Sequence, residues 1–166
     1  MNSFLKKLDK PTMTTIFVCE KQTVDDIARL LKRGVAASTK QAAAIAWYFQ
    51  GDTKRETCEN VWTYLRNNIA YVKESPQLQT VKTLSRLLLH DKKGDCKHLS
   101  TAAASILNAC GVKCKLRMVS FKFYDRQPTH VYCVAQDEKG RDIYIDAVLN
   151  KFDSEPSYKH KIDLKC

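Results

Sequence analysis

A cysteine, a histidine and an aspartate stand in this sequence where they could form a nucleophilic triad. Cys96 comes at the predicted start of a helix, where free backbone N–H groups and the positive end of the helix dipole favour thiolate over thiol. His130 and Asp146 follow in two predicted strands. A thiolate nucleophile needs a base, and a carboxylate can orient that base. The three residues therefore predict a thiol nucleophile assisted by a histidine and an aspartate.

The chain has four histidines, and one of them is placed to serve Cys96 as a base. His98 lies two residues after the cysteine, so a helical rotation of about 100° per residue turns it roughly 200° away. His90 lies in a predicted loop and His160 in a polar tail, so both are expected at the surface. His130 begins a strand after the helix, and the intervening strand and turn give it a path back to the cysteine.

Asp146 is out of place in an ordinary strand, because apolar residues surround it and a buried carboxylate requires a polar partner. Strand register decides whether His130 is that partner, since a shift of one residue moves every side chain to the other face. A three-residue hairpin loop with Gly140 in the left-handed conformation pairs Asp137 with Arg141. That register puts Asp146 diagonal to His130, whereas a five-residue loop would put the two directly opposite.

The N-terminal half of the chain carries helical patterns. A Ser or Thr followed three residues later by an acid or amide predicts helix starts at Thr23…Asp26, Ser38…Gln41 and Thr53…Glu56. The second predicts a helix over residues 39–50 that ends at Gly51. The third begins an amphipathic helix whose inward stripe is Val61, Leu65, Asn68 and Ile69, with Trp62 beside it. Residues 1–20 are interpreted as an arm or an edge strand, and residues 70–72 as an extended segment.

The C-terminal half changes from helix to strand. Apolar residues recur at helical spacing from Leu99 to Cys110, Asp95 is a suitable N-cap, and Gly111 is a suitable stop. Segments rich in Val, Ile, Tyr and Phe then predict strands over residues 113–123, 129–136 and 142–149. Helices followed by an antiparallel sheet are the order of an α+β domain.

The composition restricts the class of protein. A chain of 166 residues with 44% hydrophobic and 28% charged residues suits one globular domain. The formal net charge of +10 favours anionic partners, although the basic residues are spread out and a solvated basic face is the favoured explanation. No apolar stretch approaches the ~18 residues of a membrane span. The seven cysteines are an odd number and no export signal is evident, so we expect a cytoplasmic protein with a free thiol.

The triad residues and their context resemble the transglutaminase-like branch of the papain-like cysteine enzymes. In that family a Gly-x-Cys turn opens the helix that bears the nucleophile, and His and Asp follow on successive strands. The matching segments are Gly94-Asp95-Cys96, the helix end at Gly111, Thr129-His130 and Tyr144-Ile145-Asp146. The resemblance covers roughly residues 55–150, and Lys97-His98 departs from the acidic or aromatic residue common after the nucleophile. It implies a papain-like core, with the nucleophile helix packed on a small antiparallel sheet and an N-terminal helical extension.

The resemblance also implies a mechanism and a division of the chain. Cys96 attacks an amide carbonyl, His130 holds or passes the proton, and Asp146 orients the imidazole, with no cofactor or metal. The Cys96 backbone N–H is the natural donor to the oxyanion, and Trp62, Gln77 and Gln79 are candidates for a second donor. Residues 1–52 are expected to be an arm and helices packed on the core, and residues 53–166 the catalytic core with a C-terminal tail.

Hydrolysis of a protein or peptide substrate is the favoured reaction, with transamidation and deamidation open. Two alternatives remain. A zinc site could draw on cysteines and histidines from the set Cys96, His98, Cys110, Cys114, His130 and Cys133, but their spacing lacks paired Cys-x2-Cys motifs. A non-catalytic module could use the same fold and the basic surface to bind an anionic partner or join a larger assembly, for example a viral particle.

Overall fold

The computed structural model describes residues 3–8, 23–75, 77 and 79–166, so most of the predicted N-terminal arm lies outside the described residues. The described residues contain three α-helices, α1 (Val24–Ala42), α2 (Lys54–Asn68) and α3 (Cys96–Ala109). Shorter helical segments are the 3₁₀ helices Ser3–Lys7 and Ala46–Tyr48 and the π-helical turn Arg86–Asp91. Nowhere in this described part does a helix combine the length and apolar character needed to cross a membrane.

Two sheets accompany the helices. β1 (Ala70–Tyr71) and β2 (Lys93–Gly94) form a short parallel pair. The main sheet is antiparallel, has the order β5-β4-β3-β6, and comprises β3 (Cys114–Ser120), β4 (His130–Gln136), β5 (Asp142–Ile145) and β6 (His160–Lys165). The architecture confirms the α+β class with a small antiparallel sheet.

Helix α3 lies at the centre of the fold. It contacts α1, α2, β3 and β4, and every residue from Lys97 to Leu107 is buried. Alanines at positions 102–104 and Gly34 of α1 allow this close packing, since a side chain at Gly34 would overlap Val81 and meet Thr101. The helix ends before Gly111, whose φ of +75° is the left-handed conformation expected of its stop.

The hairpin between β4 and β5 has the predicted register. The Asp137 N–H donates to the Arg141 carbonyl at 3.0 Å, and Gly140 has a φ of +78°. Cys133 accordingly pairs with Ile145. Strand β5 stops at Ile145 rather than continuing to residue 149, so Asp146 is the first residue beyond the strand. The loop and bulge therefore bring the two predicted partners into diagonal positions.

The predicted helix over residues 39–50 is wrong. Helix α1 runs unbroken through Ser38 to Ala42, because the Ser38 hydroxyl is buried and accepts the Leu84 N–H at 3.1 Å instead of capping a new helix. The Thr39 hydroxyl donates to the Val35 carbonyl at 2.8 Å. The Thr23 and Thr53 starts are confirmed, with a complete capping box at Thr23.

Strand β6 occupies part of the segment that the sequence pattern marks only as a tail. Its single buried side chain is Leu164, so it lacks the alternation that identifies a half-buried strand. Arg117 of β3 holds it through two hydrogen bonds to Asp163, from Nε at 2.8 Å and from a terminal guanidinium nitrogen at 3.0 Å. The edge strand is therefore fixed by a charged pair as well as by its backbone.

Candidate active site

The N-terminus of α3 presents Cys96 to a cleft. Asp95 is the N-cap, and its side chain accepts the Lys97 N–H at 3.0 Å. The bridge between Tyr71 and Gly94 anchors the preceding loop, with the Ala70 N–H donating to the Lys92 carbonyl at 2.8 Å and the Val72 N–H to the Gly94 carbonyl at 2.9 Å. Cys96 itself is partly exposed, so its sulfur is held at a helix opening and remains accessible.

His130 and Asp146 form a direct pair. His130 Nε2 lies 2.6 Å from Asp146 Oδ2, and the side chains are 11% and 3% exposed. Cys96 lines the same cleft as this ring and is close enough for its charge to act on the imidazole. Since Nε2 is taken by Asp146, the remaining nitrogen, Nδ1, is the atom available to the sulfur. The three residues that the sequence nominated are thus brought together in the order cysteine, histidine, aspartate.

Asp146 is fixed by contacts beyond the histidine. Its second carboxylate oxygen accepts the Val148 N–H at 3.1 Å, and its own carbonyl accepts the Trp62 indole N–H at 2.9 Å. Trp62 lies on α2, so an element far away in the chain holds the backbone of this aspartate. These contacts hold the carboxylate in its orientation toward His130, so the pair is preorganised.

The charge state of His130 follows from these neighbours. Burial favours the neutral ring and lowers its pKa, but hydrogen bonds to Asp146 and Cys96 and their negative charges outweigh burial and raise the pKa to about 10. The ring is also flanked by Phe121, with ring centroids 6.1 Å apart. An imidazolium at neutral pH beside a sulfur is the arrangement that stabilises a thiolate.

The cleft beside the thiol has a volume of about 260 Å³. Its lining combines apolar side chains, including those of Ile27, Met118 and Val131, with charged and polar ones. Cys96 and His130 both line it, so a substrate carbonyl seated there could reach the sulfur and the imidazole together.

Glu74, Asp95 and Lys97 line the cleft and, with the buried His98, form a network of four ionisable residues that we call the polar wall. The Lys97 ammonium pairs with Asp95 and lies 3.5 Å from Glu74 Oε2. His98 Nδ1 lies 2.8 Å from Asp95 Oδ1. Burial alone would raise the pKa of Asp95, but the hydrogen bond from His98 and the charge of Lys97 outweigh it and lower the pKa to about 2. The network holds Asp95 ionised at the helix start.

His98 and Lys97 therefore have structural roles, as partners of Asp95, that were not predicted from the sequence. His98 points away from the sulfur, as its helical position predicts, but it is buried and completes a capping box with Asp95. The spacing Asp95-x-x-His98 carries the signal, since the third helical residue is the one that reaches back to an N-cap.

The same network contains a set of metal-type ligands. Glu74, Asp95 and His98 offer three donor atoms within 4.8 Å of one another. However, the Lys97 ammonium already pairs with Asp95 and lies near Glu74, and Glu74 also accepts the Thr80 N–H at 2.8 Å. A cation would have to displace this lysine, so the donor set suits an internal ion pair better than a metal.

The residues of the zinc alternative do not converge. The only three-residue ligand cluster within residues 3–8, 23–75, 77 and 79–166 is the one just described, and His98 is the one member of the zinc set that it contains. The Cys110 thiol donates to the Ala46 carbonyl at 3.5 Å, and the Cys114 thiol to Asn108 Oδ1 at 3.4 Å. These thiols therefore have local partners of their own.

The fold and the cleft define a papain-like α+β protein with a cysteine at the start of its central helix. Residues 43–138 match the family model of the transglutaminase-like superfamily, and the chain belongs to that superfamily, which includes cysteine enzymes. No curated protein sequence matches the chain.

Two solved structures share the fold. One is a protein provisionally described as a protease, from Parabacteroides distasonis, with 16% identity, a TM-score of 0.59, and coverage of 72% of this chain and 25% of that one. The other is provisionally described as a cysteine protease, from Cytophaga hutchinsonii, with 15% identity, a TM-score of 0.52, and coverage of 80% and 45%. The chain thus spans less than half of either relative.

Proposed function

We propose that the protein is a cysteine hydrolase that cleaves amide or peptide bonds through Cys96, His130 and Asp146. The observation that carries the proposal is the pairing of His130 with Asp146 on one side and with Cys96 on the other, at the wall of a cleft. Membership of a superfamily that includes cysteine enzymes supports the same reading.

In the proposed reaction the Cys96 thiolate adds to the substrate carbonyl carbon, and the π electrons move to the oxygen. The His130 imidazolium then gives its proton to the departing amine as the carbon–nitrogen bond breaks, leaving an acyl-enzyme thioester. Water, deprotonated by the now neutral imidazole, attacks the thioester and releases the acid and the thiolate. Asp146 stabilises the charged imidazole in both halves.

Hydrolysis is favoured over transfer to an amine because water can reach the thiol. Acyl transfer to an amine requires a site that excludes water, whereas Cys96 is partly exposed at the wall of the cleft. Deamidation of a side-chain amide uses the same steps and differs only in the substrate.

Alkylation kinetics test the proposal. Iodoacetamide reacts with thiolates, and burial raises the pKa of Cys110 to about 11 and that of Cys58 to about 12, so these two thiols should react slowly. Peptide mass spectrometry during a pH 7 time course should show Cys96 modified first.

The matched variants are His130→Ala and, as a control, His90→Ala at an exposed site. We expect the first to remove the preference for Cys96 and the second to keep it. Equal labelling of all cysteines in the wild type would contradict the proposed thiolate and support the non-catalytic alternative.

A further inference from the structure

An acyl transfer to Cys96 places negative charge on the former carbonyl oxygen, and that charge requires hydrogen-bond donors. The Cys96 backbone N–H supplies one, because it lies at the open start of α3. One donor is seldom sufficient, since losing a single donor from such a site typically costs about 100-fold in rate or more. The cleft should therefore contain a second donor.

The candidates nominated from the sequence are engaged elsewhere. The Trp62 indole N–H donates to the Asp146 carbonyl at 2.9 Å, so it serves the aspartate. Gln77 is exposed, bonds locally to Ser75, and is absent from the lining of the cleft. Gln79 does line the cleft, but one of its two amide N–H groups donates to the Ser75 carbonyl at 3.0 Å, so Gln79 is the alternative that the test below includes.

Tyr71 has the placement that these residues lack. The parallel bridge pairs it with Gly94, so neighbouring strands put its Cα about 5 Å from a residue two positions before Cys96. Its side chain lines the cleft with Cys96 and His130, and the residue is 43% exposed. Among the hydrogen bonds of the described residues, none involves the Tyr71 hydroxyl, which leaves its O–H available to a ligand.

We infer that the Tyr71 hydroxyl is the second donor to the oxyanion, an assignment that rests on the proposed function. As the sulfur–carbon bond forms, the carbonyl π electrons become a lone pair on oxygen, and the phenol donates a hydrogen bond while keeping its proton. When the intermediate collapses, the C=O bond re-forms and the leaving group departs with the proton from His130. Tyr71 is thus a catalytic residue that ends the cycle unchanged.

The surroundings of Tyr71 keep it in the donating form. Burial, followed by the negative charges of Cys96, Asp95 and Asp146, raises the pKa of its phenol. The phenol therefore stays protonated throughout the neutral and mildly alkaline range in which His130 remains an imidazolium. The charge on Cys96 also contributes to this shift, in accord with a phenol that lies near the sulfur.

The test compares two reactions of the same thiol. Acylation by p-nitrophenyl acetate passes through an oxyanion and releases p-nitrophenolate, whereas alkylation by iodoacetamide forms no oxyanion. We expect Tyr71→Phe to slow the acylation of Cys96 by about 100-fold and to leave its alkylation within about twofold of wild type. Tyr48→Phe is the matched control, because Tyr48 has a similar exposure of 44% and lies outside the cleft lining.

Each outcome has a defined meaning. Wild-type acylation in Tyr71→Phe overturns the assignment, as does slow acylation in Gln79→Leu without an effect of Tyr71→Phe. Equal slowing of acylation and alkylation also overturns it, because Tyr71 would then act on the thiolate and not on the oxyanion. A wild-type protein that shows no Cys96-dependent acylation contradicts the proposed function as well, and so is distinguishable from failure of the assignment alone.

Discussion

His130 Nε2 and Asp146 Oδ2 lie 2.6 Å apart. His130 is the first residue of β4, and Asp146 directly follows the last residue of β5. Their diagonal placement depends on the three-residue loop at Gly140, because that loop sets the pairing of β4 with β5. A change of one residue in the loop would turn one of the two side chains to the opposite face. The candidate active site thus depends on a turn at the far end of the hairpin.

Replacing Asp146 should change the charge state of His130. Asp146→Asn keeps the shape of the side chain but removes the negative charge and the charge-assisted hydrogen bond that raise the pKa of the imidazole. We expect the pKa of His130 to fall from about 10 toward 6.5, its ordinary value. Imidazole proton chemical shifts followed by NMR over a pH titration measure it directly.

The control for this titration is Asp125→Asn. Asp125 lies in the loop between β3 and β4 and its side chain is 47% exposed. This variant should leave the His130 titration unchanged. An unaltered His130 midpoint in Asp146→Asn would show that the aspartate does not hold the proton on the ring.

The raised pKa of His130 also predicts how stability depends on pH. The folded protein binds this proton up to a pKa of about 10, whereas the unfolded chain releases it near 6.5. The contribution is therefore fully present below pH 6.5 and is lost as pH rises through about 10. Urea unfolding at a series of pH values should show wild type losing more free energy of unfolding across that window than His130→Gln does.

Comparison with this variant is needed because the buried thiols act in the same direction. The raised pKa values of Cys58 and Cys110 also make alkaline pH destabilising, in both proteins alike. The difference between the two curves isolates the histidine. A difference that stays constant from pH 6.5 to 10 would contradict the linkage.

The central helix, the hairpin register and the placement of Cys96 and His130 at one cleft could be predicted because their signals are local. Asp95, Gly111 and Gly140 each specify a cap, a stop or a turn within a few residues. The same local logic failed at Ser38, where the hydroxyl of a capping pattern is satisfied by Leu84, far away in the chain. A pattern among residues adjacent in the sequence cannot reveal a hydrogen-bond partner that lies far away in the chain.

The polar wall and the last strand were missed for the same physical reason. From the sequence alone Lys97 is expected at the surface, and only the fold brings Glu74 beside its ammonium. β6 has almost no apolar alternation, and Arg117 with Asp163 supplies what its pattern lacks. Likewise, Tyr71 becomes part of the site only through its bridge to Gly94.

Removing the indole N–H of Trp62 should loosen Asp146. Trp62→Phe keeps an aromatic ring but leaves the Asp146 carbonyl without the donor at 2.9 Å. We expect a loss of about 1 kcal/mol in the free energy of unfolding, typical of one hydrogen bond, and acylation of Cys96 by p-nitrophenyl acetate slowed several-fold. Trp47→Phe is the control, since Trp47 is 52% exposed. Equal effects of the two variants would show that Trp62 contributes only packing.

Replacing Lys97 should lower the free energy of unfolding, because it leaves the two carboxylates beside the thiol without a neighbouring positive charge. Lys97→Met removes the ammonium that pairs with Asp95 and lies 3.5 Å from Glu74, so the buried Asp95 loses its counter-ion and the half-buried Glu74 loses a neighbouring positive charge. Breaking such a buried pair typically costs about 3–5 kcal/mol, and urea unfolding at pH 7 measures it. Lys122→Met, at a side chain 74% exposed, should cost almost nothing.

The pH dependence of this deficit identifies its cause. In the wild type the pKa of Asp95 is lowered from 3.8 to about 2, so its contribution to stability is present above pH 3.8 and is lost as pH falls through about 2. Without Lys97, Asp95 loses one of the interactions that lower its pKa, so its carboxyl binds a proton at higher pH than in the wild type. The destabilisation of Lys97→Met should therefore shrink as pH falls from 7 toward about 4. A deficit independent of pH would instead mean that Lys97 acts through its hydrocarbon chain, and the ion-pair account of the polar wall would fail.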